Sequence, residues 1–430
     1  MVIHVVQPGE SVYGIALEYG VPMSRVIADN GLESAGRLAV GQALVIRFPV
    51  TTHTVSPGET PALVAGLYGI SLRQLYRNNP ELEGGSLLYP GQTLVITYRE
   101  MPRDILSVNG YAYPYINPTL LRSVVPYLTY LTPFTYGITQ EGGLVKLEDE
   151  GLISAAAAGG AAALMHLSTL TEEGGFSNEL ARLVLNDPAV QDRLVERLVE
   201  TILEKGYAGV DVDFEYLPPE DAADYAAFLR RLTNVLNPLG RTVSAALAPK
   251  ISRDQPGLLY EGHDYRAIGA AVNEVLLMTY EWGYTYGPPM AVAPLPNVRQ
   301  VVEYALTEIP AEKMWLGVPL YGYDWTLPFV QGESRAVSLS SQQAVALAVR
   351  YGAEILYDET AQSPWFRYTD GDGAVHEVWF EDARSIRAKL ALIPRYGLLG
   401  VGYWNLMRPF PQNWRVLSAL FHIREVNSTF

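Results

Sequence analysis

The chain has 430 residues, with 31 Lys and Arg against 46 Asp and Glu, no Cys, and a formal net charge of −15. The absence of Cys excludes disulfide frameworks, thiolate metal sites and Cys nucleophiles, and the negative charge argues against binding nucleic acid or anionic lipid through bulk electrostatics. With 49% hydrophobic and 18% charged residues, the composition is that of a folded protein of two or three domains.

The N-terminal sequence MVIHVVQPGE has no basic region, long apolar segment or small-residue cleavage site, so we expect no classical signal peptide. The most apolar stretch, Ala155–Leu167, is shorter than the roughly 20 residues that a bilayer-spanning helix needs. It also contains Gly159, Gly160 and His166. We therefore expect no membrane association.

The first hundred residues contain an internal repeat. His4-Val-Val-Gln-Pro-Gly-Glu-Ser11 recurs 49 positions later as His53-Thr-Val-Ser-Pro-Gly-Glu-Thr60, and Asn30 recurs as Asn79 at the same offset. Each copy predicts a strand, a Pro-Gly turn, two helices and a final strand. A βααβ unit of about 45 residues, without convergent catalytic groups, is typical of a binding module.

These motifs resemble the LysM carbohydrate-binding module over residues 2–48 and 51–98. The resemblance implies binding to glycans that contain N-acetylglucosamine, as in peptidoglycan or chitin. In that family the groove lies between the turn after the first strand and the loop before the last strand. The implied binding residues are Gly9, Glu10, Ser11, Asn30, Leu38 and Ala39 in the first copy and Gly58, Glu59, Thr60, Asn79, Leu88 and Tyr89 in the second. Two weak sites on one polymer would raise retention through avidity; the alternative is a spacer that only folds.

From Ile105 onward, apolar strand-like runs alternate with amphipathic helical runs over about 320 residues. Near-continuous apolar strands suit a parallel sheet that is buried on both faces. The pattern therefore predicts an α/β fold, a (β/α)8 TIM barrel. The eight predicted strands are Ile105–Tyr111, Tyr127–Tyr136, Ala161–Leu167, Gly209–Glu215, Val243–Ala248, Glu274–Tyr280, Met314–Pro319 and Gly397–Tyr403.

One helix between these strands carries clear start and stop signals. Asp187-Pro188 supplies an N-cap followed by Pro at the first helical position. The apolar residues from Val190 to Leu203 fall on one helical face, and Gly206 ends the helix. A second helix is expected at Ala222–Leu236.

The long segment between the seventh and eighth strands predicts a small α+β insertion at about residues 325–390. A helix is expected at Val337–Arg350, and strand-like pieces lie around Ile355–Tyr357 and Trp365–Trp379. The Asp370-Gly-Asp-Gly373 turn folds the latter piece into a hairpin. The expected domains are thus residues 1–49, 50–100 and 101–430.

Three acidic residues alternate with apolar residues in the fourth predicted strand. Asp211, Asp213 and Glu215 share one face of that strand, which in a barrel points inward. Glu215 precedes the Leu217-Pro-Pro219 break and should emerge at the C-terminal face, where barrel active sites lie. Because burying three like charges is costly, the pattern favours a catalytic site; a wet surface strand and a Mg²⁺ or Ca²⁺ site are the alternatives.

Neighbouring carboxylates raise one pKa, which suits Glu215 as a general acid at a glycosidic oxygen. An ordinary retaining glycosidase needs a second carboxylate about 5–5.5 Å away, on the opposite side of the sugar. Asp213 comes from the same strand and the same side. We therefore expect the nucleophile to come from elsewhere.

The segment Gly209–Glu215 resembles the D-G-x-D-x-D-x-E motif of the family 18 glycoside hydrolases, with Ala208 in place of the leading acid. Met278-Thr-Tyr280 and Trp404 extend the resemblance, which covers about residues 103–424. It implies a retaining, substrate-assisted mechanism. Glu215 protonates the leaving oxygen and then activates water, while the substrate's own 2-acetamido carbonyl attacks the anomeric carbon.

The same resemblance implies the functions of the neighbouring residues. Asp213 orients the acetamide and stabilises the oxazolinium-like intermediate with support from Asp211, Tyr280 hydrogen-bonds the acetamide carbonyl, and Trp404 forms the floor under the sugar. Further residues expected to line the groove are Met278, Trp282, Tyr323 and Asp324. The six His form no cluster typical of a metal site, so we expect no metal and no other cofactor.

The segments Met278–Tyr284, Gly287–Pro294 and Tyr321–Trp325 are similar to one branch of this family. That branch comprises the spore-associated, LysM-containing N-acetylglucosaminidases that degrade cortex peptidoglycan fragments during germination. Glu281 stands where many chitinases carry Asp. The branch implies a monomer located in the spore coat, cortex or cell wall; the alternatives are a chitinase, a non-catalytic glycan-binding protein and a structural coat or wall protein.

Overall fold

The computed structural model describes residues 1–32, 36–85, 87–171 and 173–426; the last four residues of the predicted third domain, 427–430, lie outside these ranges. A closed parallel barrel forms its centre, and all eight predicted strands are present. The barrel strands are β1 (Asp104–Ala112), β2 (Tyr130–Pro133), β3 (Ala162–Ser168), β4 (Gly209–Asp213), β5 (Thr242–Leu247), β6 (Glu274–Leu277), β7 (Met314–Pro319) and β8 (Gly400–Trp404). β8 pairs with β1 and closes the barrel, as expected for the TIM fold.

Helices pack around the outside of the barrel, and both helices predicted in detail are confirmed. Helix Pro188–Lys205 begins after Asp187, whose carboxylate accepts hydrogen bonds from two backbone N–H groups, and ends at Gly206 in the left-handed conformation. The other barrel-domain helices are Pro118–Val124, Glu150–Ala158, Asn178–Asn186, Ala222–Leu236, Leu258–Glu261, Tyr265–Ala271, Leu295–Ala305, Ala383–Leu390, Leu392–Tyr396 and Pro411–Leu420. A short strand, Phe421–Ile423, pairs with the start of β1.

The segment between β7 and β8 forms a five-stranded antiparallel sheet with one helix, Ser341–Tyr351. Its strands are Gly322–Leu327, Val337–Leu339, Leu356–Asp358, Ser363–Thr369 and Val375–Trp379. The predicted hairpin is present. The prediction of a helix from Val337 is wrong in its first turn, because Val337–Leu339 pairs with the first strand of this sheet. The helix starts after Ser340, which forms a capping box with Gln343.

Both repeats fold as the predicted βααβ units. The first contains Val2–Val5, Val12–Tyr19, Met23–Asn30 and Ala43–Ile46; the second contains Pro49–Thr54, Pro61–Leu67, Leu72–Asn78 and Thr93–Tyr98, with a 3₁₀ turn at Pro80–Leu82. In the first copy, Oε2 of Glu10 lies 2.8 Å from Nε2 of His4 and accepts a hydrogen bond of 2.6 Å from the backbone N–H of Gln7. The second copy repeats this arrangement with His53, Ser56 and Glu59, at 2.8 and 2.7 Å. The shared His and Glu of the repeat motif therefore hold the Pro-Gly turn.

A buried arginine joins the two repeats to each other. Arg25 of the first repeat donates hydrogen bonds to the carboxylate of Glu81, the carbonyl of Asn78 and the hydroxyl of Tyr98, at 2.8, 3.1 and 2.9 Å. The two terminal nitrogens of its guanidinium are thus paired with groups of the second repeat and with Asp29 of its own helix. Buried charges persist only when they are paired in this way.

Further buried arginines join the repeats to the barrel domain. Arg77 of the second repeat donates to the carbonyl of Pro126 at 2.7 Å, and the hydroxyl of Tyr127 donates to the carbonyl of Arg77 at 2.8 Å. Arg415, from helix Pro411–Leu420, donates hydrogen bonds to the carbonyl of Arg77 and to the hydroxyl of Tyr127. The three folding units therefore share a polar interface, and Ala43 and Val45 of the first repeat also belong to the hydrophobic core of the barrel domain.

Gly41→Ala is expected to destabilise the protein more than Gly91→Ala, its matched control in the second repeat. The two glycines have φ values of 80° and 86°, so both variants carry left-handed strain of about 1–2 kcal/mol. A Cβ on Gly41 would clash with the carbonyl oxygen of Ile355, whereas a Cβ on Gly91 would meet nothing within 4 Å. The clash should add about 1–3 kcal/mol to the loss of unfolding free energy measured in urea. Equal losses would contradict the close contact between the first repeat and the insertion.

Candidate active site

The acidic residues of β4 point into the barrel as predicted. Asp211 and Asp213 alternate with Val210 and Val212, which are completely buried. β4 ends at Asp213, two residues earlier than predicted, and Glu215 follows on the loop at the C-terminal end of the barrel. The exposure of the acids rises along the chain, because Asp211 is buried while 13% of the Asp213 side chain is exposed.

Asp211 is held by hydroxyl donors from two other strands. Its Oδ2 accepts a hydrogen bond of 2.8 Å from Tyr111 of β1, and its Oδ1 accepts one of 2.6 Å from Ser244 of β5. Ser244 lies directly beside Asp211 in the parallel register. Burial raises the pKa of Asp211, and the two hydrogen bonds oppose this rise. With its oxygens occupied, Asp211 is placed to support its neighbours.

His166 is a site residue that the sequence reasoning missed. It lies beside Asp211 in the register of β3 and β4, and its Nε2 is 3.8 Å from an oxygen of Asp211 and 3.7 Å from one of Asp213. Burial lowers the pKa of His166 to about 3, so the ring is neutral, and Oγ1 of Thr135 lies 2.6 Å from its Nδ1. The position of His166 on the inward face of the third strand was the available signal.

Asp213 and Glu215 are the acids that face the open end of the barrel. Oδ1 of Asp213 is buried and has no hydrogen-bond partner within the described part of the chain. Burial, together with the charges of Glu215 and Asp211, raises the pKa of Asp213 well above its ordinary value. Burial and the charge of Glu281 raise the pKa of Glu215. A carboxyl group that retains its proton closer to neutral pH is what general acid catalysis requires.

Tyr280 follows β6, and the structure places its ring among the same acids. Burial, followed by the charges of Asp213 and Glu215, raises the pKa of its hydroxyl well above the usual value, so the phenol stays protonated and can donate a hydrogen bond. Gly317 of β7 provides the room, because a Cβ there would lie only 2.9 Å from Cε1 of Tyr280.

Glu281 links the barrel to the insertion. It has a φ of 68°, and its carboxylate accepts hydrogen bonds from the hydroxyls of Tyr321 and Tyr323. Positive φ is uncommon for a residue with a side chain and is found mainly where surrounding contacts maintain it. Tyr323 is only 6% exposed. It therefore affects the site by holding Glu281, which, besides burial, raises the pKa of Glu215 through its charge.

An aromatic cluster forms one side of the opening. Trp404 lies at the end of β8. The centroid of its ring is 4.9 Å from that of Phe134 and 5.7 Å from that of Tyr111. Met278 packs against the same buried cluster. Trp282 is half-buried against the main hydrophobic core, and its backbone N–H donates to the carbonyl of Val292. Trp404 and Met278 are therefore brought together, whereas Trp282 packs elsewhere along the loop.

The prediction that Asp324 lines the groove is wrong. Side chains alternate along the strand Gly322–Leu327, so Asp324 points to the opposite face from Tyr323. There its Oδ2 accepts a hydrogen bond of 2.7 Å from Tyr368, and its Oδ1 lies 2.9 Å from Nδ1 of His376. Asp324 stabilises the insertion and does not face Glu281.

The prediction that Asn30 and Asn79 bind glycan is also wrong. The side chain of Asn30 donates to the carbonyls of Val26 and Val45 and accepts from the N–H of Val45. Asn79 makes the equivalent three bonds to Leu75 and Val95 and has no exposed surface. These amides are used inside the fold, where they fix the last strand of each repeat to its second helix.

The remaining predicted residues of the repeats lie at the turn and on the loop before the last strand. On that loop Ala39 and Leu88 are buried, Leu38 is half-buried and Tyr89 is exposed. The hydroxyls of Ser11 and Thr60 each accept a backbone hydrogen bond as N-caps of the first helix. Glu10 and Glu59 hold the turn through one carboxylate oxygen, and Gly9 and Gly58 are surrounded by open space. These groups leave an accessible edge in both copies.

Within the described ranges, no group of three or more His, Asp or Glu side chains is arranged to hold a metal ion. In the same part of the chain, helices long and apolar enough to cross a membrane are absent.

Comparison with known proteins gives matches to the catalytic part and to both repeats. The family model described as glycosyl hydrolases family 18 matches residues 160–408, and the LysM domain model matches residues 4–47 and 53–97. The chain is 41% identical over 436 residues to the cortical fragment-lytic enzyme of Bacillus subtilis strain 168, with 100% of both chains covered.

Solved structures give the same assignment. The Bacillus cereus spore cortex-lytic enzyme SleL superposes with a TM-score of 0.84 and 38% identity, over 99% of this chain and 98% of that chain. A chitinase from Chromobacterium violaceum ATCC 12472 superposes with a TM-score of 0.68 and 27% identity, over 73% of this chain and 98% of that chain.

Glu281→Gln is expected to lower the pKa of Glu215, because it removes the negative charge that disfavours ionisation of Glu215. Gln retains an acceptor oxygen for Tyr321 and Tyr323. The pKa can be followed by carboxyl ¹³C NMR, with the resonance assigned by its loss in Glu215→Gln. Glu333→Gln, at an exposed position, is the control. An unchanged or higher pKa would contradict the proposed electrostatic coupling.

Proposed function

The chain belongs to family 18 of the glycosyl hydrolases and carries two LysM domains, and on this premise we propose that it hydrolyses β-1,4 bonds after N-acetylglucosamine in spore-cortex peptidoglycan. The observation that carries the proposal is that Glu215 follows Asp213 at the open end of the barrel, where a buried oxygen of Asp213 has no hydrogen-bond partner among the residues that the structure describes. The relatives named for cortical fragments, which it resembles over its whole length, support the choice of substrate.

In the proposed mechanism, Glu215 donates its proton to the glycosidic oxygen as the bond breaks and later takes a proton from the attacking water. Burial and the charge of Glu281 support this function, because they favour the protonated form before the reaction. Once the leaving group has departed, the same carboxylate is ionised and can act as the base that activates water.

The nucleophile is the carbonyl oxygen of the substrate's 2-acetamido group. Asp213 accepts the N–H of that group, which would satisfy the oxygen that otherwise lacks a partner. Its charge then stabilises the positive oxazolinium-like intermediate. Tyr280 donates to the acetamide carbonyl and fixes its direction of attack, and Asp211, held by Tyr111 and Ser244, supports Asp213 from below.

The sugar rests on Trp404, whose half-buried ring is fixed by its aromatic neighbours. Such rings present flat apolar faces to ligands while their edges pack in the protein. Met278 contributes to the same wall. We place the catalytic domain at residues 101–430, with the LysM domains at 1–49 and 50–100 acting as glycan-binding modules of a monomer at the spore cortex, coat or wall.

A chitinase is the second candidate function, because the catalytic part also resembles a solved chitinase. Chitin supplies the same acetamido group, and Glu215, Asp213 and Tyr280 would act on it in the same way. The cortex is preferred because the similarity to the cortex-lytic relatives includes the two repeats, whereas the chitinase structure covers 73% of the chain.

Glu215→Gln is expected to lower kcat on cortex peptidoglycan by about 10²–10⁴-fold, since it removes the general acid. The substrates are cortex peptidoglycan, vegetative peptidoglycan and chitin oligomers, and mass spectrometry identifies the new reducing ends. Glu220→Gln is the control, because Glu220 is a largely exposed acid nearby, paired only with Arg182.

Two outcomes would contradict the proposal in different ways. Full activity of Glu215→Gln would exclude the acid–base function of Glu215. Cleavage of chitin oligomers without cleavage of cortex peptidoglycan would instead leave the mechanism in place and favour the chitinase.

A further inference from the structure

We propose that the two LysM repeats have different functions: the second binds the glycan, and the first is a bracket, a structural unit whose loop edge is fixed to the catalytic domain. The proposal rests on the glycan-binding function proposed above and restricts it to one repeat. It concerns the loop edge of each groove, defined as residues 37–41 in the first copy and 87–91 in the second.

The loop edge of the second copy is open to solvent. Leu87 and Tyr89 are 66% and 64% exposed, and a Cβ on Gly91 would meet nothing within 4 Å. Tyr combines an apolar ring face with a hydroxyl, the combination that suits contact with a sugar ring and its polar substituents. The turn edge on the other side of this groove is also exposed, at Ser56 and Gly58.

The loop edge of the first copy is closed by the insertion. The carbonyl of Val40 accepts a hydrogen bond of 2.9 Å from the backbone N–H of Ile355, and the carbonyl of Gly41 accepts one of 3.2 Å from Arg384. Ala39 is only 5% exposed and belongs to the hydrophobic cluster of the insertion. The insertion therefore covers Ala39, Val40 and Gly41, whereas Arg37 stays exposed beside a cavity of about 380 Å³ that this loop shares with the insertion.

Hydrogen bonds on both sides of this edge also join the first repeat to the catalytic domain. Gln342, on the helix of the insertion, donates to the carbonyl of Gly31 at 2.9 Å, and Gln412, on the last barrel helix, donates to the carbonyl of Ala43 at 2.7 Å. Four backbone carbonyls of the first repeat, those of Gly31, Val40, Gly41 and Ala43, thus accept hydrogen bonds from the catalytic domain.

The sequence differs between the copies where their environments differ. The positions of Leu87 and Tyr89 in the second copy are occupied by Arg37 and Ala39 in the first. A small side chain at position 39 permits close packing on the insertion, whereas a Tyr there would not fit. The turn edge, in contrast, keeps the same His–Glu arrangement in both copies.

The chemistry of the ligand follows from the open groove. The net charge of −15 offers no general attraction to an anionic wall polymer, so retention depends on uncharged acetamido sugars at the second repeat. Avidity then arises from one LysM groove and the catalytic groove on the same glycan.

The test measures binding of full-length protein to insoluble cortex peptidoglycan by co-sedimentation, in the Glu215→Gln background so that the polymer stays intact. The double variant Leu87→Ala and Tyr89→Ala is expected to weaken binding at least about tenfold, the effect of losing a single well-placed contact. The matched change in the first copy is Arg37→Ala, since position 39 is already Ala, and it should change binding less than about twofold.

A second matched pair probes the turn edge without altering the loop. Ser56→Trp should obstruct the groove of the second copy and weaken binding, whereas Gln7→Trp should leave it unchanged; both positions are exposed. Calorimetry establishes that each variant folds. Equal losses in the two copies, or losses confined to the first copy, overturn the division of functions. An unaltered protein that does not sediment with peptidoglycan overturns LysM glycan binding itself, and the activity of Glu215 is then judged by its own experiment.

Discussion

The site depends on a single constraint, the placement of alternating acids on one strand inside a closed barrel. Asp211 and Asp213 can leave the interior only if Val210 and Val212 enter it, because side chains alternate strictly along a strand. The deepest acid is satisfied by hydroxyls of β1 and β5, whereas the next acid keeps a buried oxygen without a partner in the described structure. In the proposed mechanism a substrate amide would bind this oxygen and offset the energetic cost of burying it without a partner.

The elements around this strand carry the residues that surround its acids. Gly317 leaves room for the ring of Tyr280, and the loop after β6 carries Glu281 in a positive-φ conformation toward the insertion. Two tyrosines of the insertion hold that carboxylate. Burial and the charge of Glu281 in turn raise the pKa of Glu215. The insertion therefore contacts both a carboxylate of the active site and the first repeat.

Much of the fold could be predicted from the sequence, because periodicity and caps are local signals. The eight strands, the helix Pro188–Lys205 and the inward acids follow from them. What could not be predicted depends on contacts between distant segments. His166 lies in the site because the strand register places it beside Asp211. Asp324 faces away from the site and accepts a hydrogen bond from Tyr368 within the insertion. The side chain of Asn30 is hydrogen-bonded to Val45, which lies 15 residues later in the last strand of the repeat. The motif that the two repeats share also gave no indication that the insertion contacts one of them.

The central claim is that the substrate's acetamide is the nucleophile. The most direct test varies the nucleophilicity of its carbonyl oxygen. The measurement is kcat/KM for N-acetylglucosamine oligosaccharides whose acetyl groups carry zero, one, two or three fluorines at the cleaved sugar. If the carbonyl oxygen attacks the anomeric carbon, each fluorine weakens it and the rate should fall steeply along the series. A rate that is independent of fluorination would show that another group attacks, and would contradict the assignment of Asp213 and Tyr280 as groups that position the acetamide.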